Sequence, residues 1–464
     1  MARGLRQATD SESDMAESNV NERAIVLDML LENEAGKPSH VILDDTLYKY
    51  AYLEKRQRAF ITRLFSGVIE KKLTLDYVIG KFSKVKVSKM KPVVRNCIRM
   101  AVYQILYMDR VPESAAVNES VKLVRKRGLS GLVPFTNGVL RHIAAGKSSI
   151  AYPDSTDDHE SYMSVKCSMP LWLVRHFNLE YKDEADSIMN ALLTERPLYI
   201  RTNTEKITPK ELAGSLTAEG IHVEMSEILP YFMKLSGVDS IADLPQFADG
   251  LFTIQDVSSG LAVFLSGVKK GDTVIDLCAA PGGKTCDLAE RAELVRAFDI
   301  SEEKLSLIED NTERLGIKNV DVSVNDAAVF RKDLTDSADV VFCDLPCSGL
   351  GIIARKPDIK YNAGEEKIAE LAGLQRLILD NALKYVKPGG KLVFSTCTMT
   401  KAENEENFRY ILSNEGIEAD GFSDLLPDVF SDVEKREAAE GFLRLIPGRH
   451  DTDGFFISRV RRVL

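Results

Sequence analysis

Asp276-Leu277-Cys278-Ala279-Ala280-Pro281-Gly282-Gly283-Lys284-Thr285 joins an apolar run over 273–277 to a helical pattern over 284–291. Its small residues and glycines let a backbone approach a ligand closely, and the following helix N-terminus favours an anion. The stretch is neither a Walker loop nor a GxGxxG fingerprint. A tight turn would account for one glycine, but not for Pro-Gly-Gly-Lys beside an acidic strand end. We therefore read a ligand-binding loop after the first strand of an α/β sheet.

The residues downstream extend that sheet. Strands are expected over 294–299, 320–324, 340–344 and 391–395, and helices over 303–315, 365–385 and 403–412. This alternation predicts a doubly wound, mostly parallel, Rossmann-like sheet. Runs over 442–446 and 454–463 predict a hairpin on its edge, turned by the Gly448 to Phe456 segment. Asp299 ends the second strand about 20 residues past the loop, where an acid can bond ribose hydroxyls. Asp326 follows the third strand, where it could accept from an adenine amino group; a loop carboxylate is the plain alternative. Asp344 and Cys347 follow the fourth strand, and Cys397 follows the fifth. Neighbouring strand ends would bring both thiols into one crevice. The cysteine spacings contain no CxxC pair, which disfavours zinc, and no histidine lies near either motif, which disfavours a Cys–His hydrolase.

Upstream, residues 168–250 read as a small α+β domain, with a strand at 198–203, a helix at 209–218 and a strand near 222–224. Residues 148–167 read as a linker and 20–147 as an all-α domain of six or seven helices. Residues 20–147 carry about +11 against −10 for the whole chain. Lys81, Lys84, Lys86, Lys89, Lys91, Arg95, Arg99, Lys122, Arg125, Lys126 and Arg127 stand between its apolar positions, as in a polyanion-binding module; a solvated helix surface is the plain alternative. Residues 1–19 are polar and acidic, unlike a signal or transit peptide, and are expected to be disordered. No apolar run approaches a membrane span, and seven cysteines without framework spacing fit a cytoplasmic protein with reduced thiols.

Residues 276–285, Asp344-Leu345-Pro346-Cys347-Ser348-Gly349, Ser395-Thr396-Cys397-Thr398, Glu403-Asn404-Glu405 and the His450 to Phe456 segment together resemble the RNA cytosine-C5 methyltransferases of the Nol/Nop/Sun family. Gln255-Asp256-Val257-Ser258-Ser259 is similar to the segment before that fold. Pro112 to Glu119 and Phe135 to Arg141 resemble NusB. The resemblance implies an N-terminal NusB-like RNA-binding domain, a small RNA-recognition-like domain and, over 251–464, a class I methyltransferase domain. It implies S-adenosylmethionine as donor, with Cys278, Ala279, Ala280, Pro281, Gly282, Gly283 and Lys284 at its amino-acid end. Asp299 would hold its ribose and Asp326 its adenine, with Asp344 alongside. Cys397 would attack cytosine C6, Asp344 would hydrogen-bond or protonate the base near N3, and Cys347 would assist loss of the C5 proton and release of Cys397. The domain order implies an enzyme acting on 16S rRNA at cytosine 967; a monomer with neither metal nor membrane partner is expected. After Gly349 this chain has Ala354 where a second arginine beside Arg355 is common. Two other readings stand beside this one. A DNA cytosine-C5 methyltransferase would use the Pro-Cys cysteine as nucleophile, and a non-catalytic RNA-binding assembly factor would keep the fold alone.

Overall fold

The computed structural model describes residues 20–463, so the extension over 1–19 lies outside the described residues. The chain divides into two units: one runs to Met189 and includes Lys356–Asn362, and the other comprises Asn190–Arg355 and Ala363–Leu464.

Among the described residues, seven α-helices precede residue 147 in the first unit. Helix Pro92–Tyr107 is their hub. Pro92 starts it without wasting a donor, and Val94, Cys97, Ile98, Ala101, Val102 and Ile105 recur at helical spacing and are buried. Arg99 lies on the same helix and does not serve the surface. It forms a fork on Asp76 (2.7 and 2.7 Å) and reaches Glu34 (2.7 Å), while Arg95 also bonds Glu34. These two are internal ion pairs, whereas Lys84, Lys86, Lys89 and Lys91 are exposed.

One expectation for this unit changes. Helix His159–Cys167 falls inside the expected linker, capped by Asp158. It is tied to helix Lys72–Phe82 by Thr74 Oγ1 donating to the Val165 carbonyl and Leu73 N donating to Ser168 Oγ (2.9 Å). The helices from there to Met189 fall in the first of the two units. The polar residues before His159 conceal the apolar face that Met163 and Cys167 bury. Lys356–Asn362 is also built in. Asp358 accepts from Ser39 N (2.8 Å) and Ser39 Oγ (2.6 Å), supplying the missing cap of helix Ser39–Lys49. Lys360, fully buried, donates to the Glu70 carbonyl (2.8 Å), and burial lowers its pKa to about 7.

The second unit holds two sheets. The smaller is antiparallel, ordered β2-β3-β1-β4, from Leu198–Thr202 (β1), His222–Met225 (β2), Phe232–Ser236 (β3) and Phe252–Ile254 (β4). Helix Pro209–Ala218 covers it, started by a Thr208–Glu211 capping box. Buried Arg201 runs from β1 to Gln255 (2.8 Å) and Glu290 (2.5 Å).

The larger sheet contains Thr273–Asp276 (β5), Leu294–Asp299 (β6), Val320–Val324 (β7), Ala338–Asp344 (β8), Val386–Thr396 (β9), Ile417–Ala419 (β10), Phe442–Leu445 (β11) and Phe455–Arg462 (β12). Its order is β10-β12-β9-β8-β5-β6-β7, with β11 also on β12. Strands β5 to β9 run parallel and β12 antiparallel to β9. The expected hairpin of β11 and β12 forms, but β12 is not an edge strand. Phe456 to Arg461 pair with β9, while its other side takes β10 and β11. The chain builds outward from β5 through β6 to β7, then returns to β8 on the other flank of β5. Ligands bind at such a reversal, outside the carboxyl ends of the strands.

Candidate active site

Asp276 ends β5, Asp299 ends β6, Asp344 ends β8 and Cys397 immediately follows β9. The register sets Asp344 opposite Ser395 on β9. Ser395 Oγ donates to Asp344 Oδ1 (2.7 Å), and Lys284 Nζ reaches Asp344 Oδ2 (2.7 Å) from the loop after β5. The Asp344 carboxylate is thus aimed by two neighbours. Although burial opposes it, the charge of Asp344 holds the Lys284 ammonium above its ordinary pKa.

The two thiols meet, with Cys347 Sγ and Cys397 Sγ 3.4 Å apart. Both cysteines are free and half-buried. The hydrogen bond from Cys397, then burial, pushes the Cys347 thiol well above its usual range. Cys343, by contrast, faces the core and is fully buried.

The loop over 276–285 wraps the end of β5. Gly282 takes φ +100°, in the left-handed region that glycine favours, at the start of helix Gly283–Ala289. Thr285 donates to Asp276 (2.8 Å), and burial raises that carboxyl to about 7. Asp299 accepts from Ala280 N (3.0 Å) and Ile300 N (2.8 Å), fastening the loop to β6. These bonds give Asp299 a structural duty beyond any ligand contact. Asp326 is exposed and accepts from Ala328 N (3.0 Å). Lys284, expected at the donor's amino-acid end, spends one of its three donors on Asp344. Beside these acids lie two features that suit a nucleoside: Ile300 is 59% exposed next to Asp299, and buried Asn325 Nδ2 has no partner among the described residues.

The 446–454 connection does more than turn the hairpin. Gly454 N donates to the Gly351 carbonyl (3.0 Å), and Gly351 N donates to the Cys397 carbonyl (3.0 Å). Arg355 is held between Asp453 (2.7 Å) and Asp256 (2.6 Å), so its guanidinium is committed to carboxylates within this unit. Sequence reasoning gave no role to Ser348, Gln375, Thr398 or Glu403, all of which border the thiols. The available signal was Glu403-Asn404-Glu405. Helix 403–412 was expected to include it, but the helix starts at Glu405, leaving Glu403 in the preceding turn.

A doubly wound sheet with acids at its strand ends, an antiparallel strand beside β9 and paired thiols at the chain reversal defines a Rossmann-like methyltransferase fold. The family model for "16S rRNA methyltransferase RsmB/F" matches residues 263–461, that for the NusB family 20–145, and that for the RsmF/B-like ferredoxin-like domain 169–241. The chain is 33% identical to the probable ribosomal RNA small subunit methyltransferase B of Bacillus subtilis, covering 95% of this chain and 98% of that one. It is 31% identical to the Synechocystis protein described in the same words, covering 93% and 96%. Among solved structures, that of PH0851 superposes with TM-score 0.80 at 27% identity, covering 95% of this chain and 99% of that one. NSun6 from Pyrococcus horikoshii with SFG gives 0.56 at 25% identity, covering 64% and 98%. The chain belongs to the ribosomal RNA small subunit methyltransferase B family. No described helix is long and apolar enough to cross a membrane.

Proposed function

We propose that this protein is an S-adenosylmethionine-dependent methyltransferase that forms 5-methylcytosine in 16S rRNA, at cytosine 967, through a covalent cysteine–cytosine intermediate. The observation that carries the reading is the 3.4 Å contact of Cys347 and Cys397 beside an Asp344 aimed by Ser395 and Lys284. Cys397 adds to C6 as thiolate, forming the S–C6 bond and pushing an electron pair toward C5. Asp344 meets the base edge near N3, where a hydrogen bond or a proton stabilises the displaced charge. When bound, S-adenosylmethionine supplies the electrophilic methyl group that C5 takes. Loss of the C5 proton to Cys347, acting as thiolate, leaves the C5–H electron pair to re-form the C5–C6 double bond, and the S–C6 bond breaks with its pair to release Cys397 as thiolate. Backbone from Cys278 to Lys284, with Asp299 and Asp326, would hold the donor. The open apolar face of Ile300 and the unpaired Asn325 amide fit its nucleoside. The base must leave its stack to present C6 to the thiolate.

The reading is tested by incubating the full chain with labelled donor and unmodified 16S rRNA, then mapping the product by bisulfite sequencing. A single new protected cytosine at 967 is expected. Label at another position type, or none with donor bound, would overturn it; donor-free RNA binding alone would favour an assembly factor.

A further inference from the structure

Glu403 is fully buried, yet its carboxylate is the most heavily bonded group near the thiols. Oε1 accepts from Ser348 N (2.8 Å) and Gln375 Nε2 (3.2 Å). Oε2 accepts from Ser348 Oγ (2.6 Å) and Thr400 Oγ1 (2.7 Å), with Thr398 Oγ1 at 3.4 Å. Ser348 and Thr398 hydroxyls also touch each other at 2.6 Å. Since the Ser348 hydroxyl donates to Glu403, it accepts from Thr398.

These partners have a pattern. Ser348 follows Cys347, and Thr398 follows Cys397. Ser348 is fastened to the carboxylate directly and Thr398 through the Ser348 hydroxyl, from loops that are 50 residues apart in the chain. Gln375 braces the Cys347 side again by donating to the Pro346 carbonyl (2.8 Å), and Asn407 fixes the Gln375 amide (2.7 Å). Four donors converge on the two carboxylate oxygens, and a carboxylate offers acceptor sites for all of them. A glutamine would turn one acceptor into a donor facing other donors.

We propose that Glu403 is a positioning residue that clamps the Cys347 and Cys397 loops at thiol-contact distance. Resting on the reaction proposed above, the clamp sets how quickly Cys347 resolves the Cys397–base adduct. It acts through the two cysteines and touches neither base nor donor.

The test separates geometry from chemistry. Dibromobimane becomes fluorescent when it bridges two neighbouring thiols, and it is applied to the full-length protein without RNA or donor. The parent should cross-link through this pair, whereas Cys347→Ser and Cys397→Ser should not. Glu403→Gln should cross-link at least about fivefold less, with monobromobimane labelling of Cys397 retained, since a shift near 1 Å suffices to spoil aligned geometry. Glu403→Asp should restore part of the yield, and Thr398→Val, which removes one strut, decides the matter if Glu403→Gln does not fold. In single turnover with 16S rRNA, adduct decay in Glu403→Gln should slow at least about tenfold, while adduct formation changes less. Parent-level cross-linking in both Glu403→Gln and Thr398→Val overturns the clamp. Absence of any adduct in Cys347→Ala would instead overturn the reaction, and the cross-linking result would still decide the clamp.

Discussion

Replacing Gly351 by alanine puts a methyl group where the fold has backbone. Its Cβ would stand 2.0 Å from the Gly454 carbonyl oxygen and 2.8 Å from that of Cys397. Neither neighbour is a side chain that can rotate away, so relief must displace the Cys397 turn, the 446–454 connection, or both. The bonds at risk are Gly351 N to Cys397 O and Gly454 N to Gly351 O, each 3.0 Å. At about 1 kcal/mol each, their loss would cost roughly 2 kcal/mol of stability. The effect on rate should be larger than the stability loss implies, because Cys397 itself moves. A displacement near 1 Å at a nucleophile costs on the order of 100-fold. Urea denaturation followed by circular dichroism measures the first quantity, and single-turnover methyl transfer measures the second. A Gly351→Ala protein within about 0.5 kcal/mol and about twofold of the parent would refute this description of the Cys397 support.

Arg99→Ala should strand Asp76 in the helical unit, leave Glu34 to Arg95 alone and cost about 3 kcal/mol, read from urea unfolding by fluorescence of Trp172, the only tryptophan; a loss under about 1 kcal/mol would contradict a buried network. Lys360 has its folded pKa lowered by burial from 10.5 to about 7, so between those values the unfolded chain binds more protons and stability should rise with pH, levelling off below about 7. Lys360→Met should abolish that rise in Trp172-monitored unfolding; an unchanged slope would assign it elsewhere. Asp344→Asn removes the charge that pairs with Lys284 and turns one of the two acceptor oxygens into a donor, and should lower methyl transfer by about 100-fold or more while the protein stays folded; near-parent turnover would remove Asp344 from the reaction.

The alternation of strands and helices after residue 273 was legible because parallel strands buried on both faces read as continuous apolar runs between polar helices. Strands β6 and β7 and helix Glu365–Tyr385 have the bounds expected from that pattern. Position within the sheet was less legible. Pairing is a long-range property, and nothing in Phe455–Arg462 states that β10 and β11 will both cover its far side. Charge misled in the helical unit for a similar reason: Arg99 has the composition of a surface residue, but its helix is buried all round. At the site, the thiols and strand-end acids could be named individually, since each follows an apolar run. Their alignment depends on Ser395, Ser348, Thr398 and Glu403, whose roles exist only once two distant loops are side by side.

The central claim is that the thiols are unequal, Cys397 making the bond to cytosine and Cys347 helping to break it. Incubating each alanine variant with donor and 16S rRNA, then resolving the products on a denaturing gel, tests this directly. Cys347→Ala should accumulate a protein–RNA adduct that survives denaturation, and Cys397→Ala should form neither adduct nor 5-methylcytosine. Methylation by Cys397→Ala, with adduct and product both lost in Cys347→Ala, would contradict the account and make Cys347 the nucleophile.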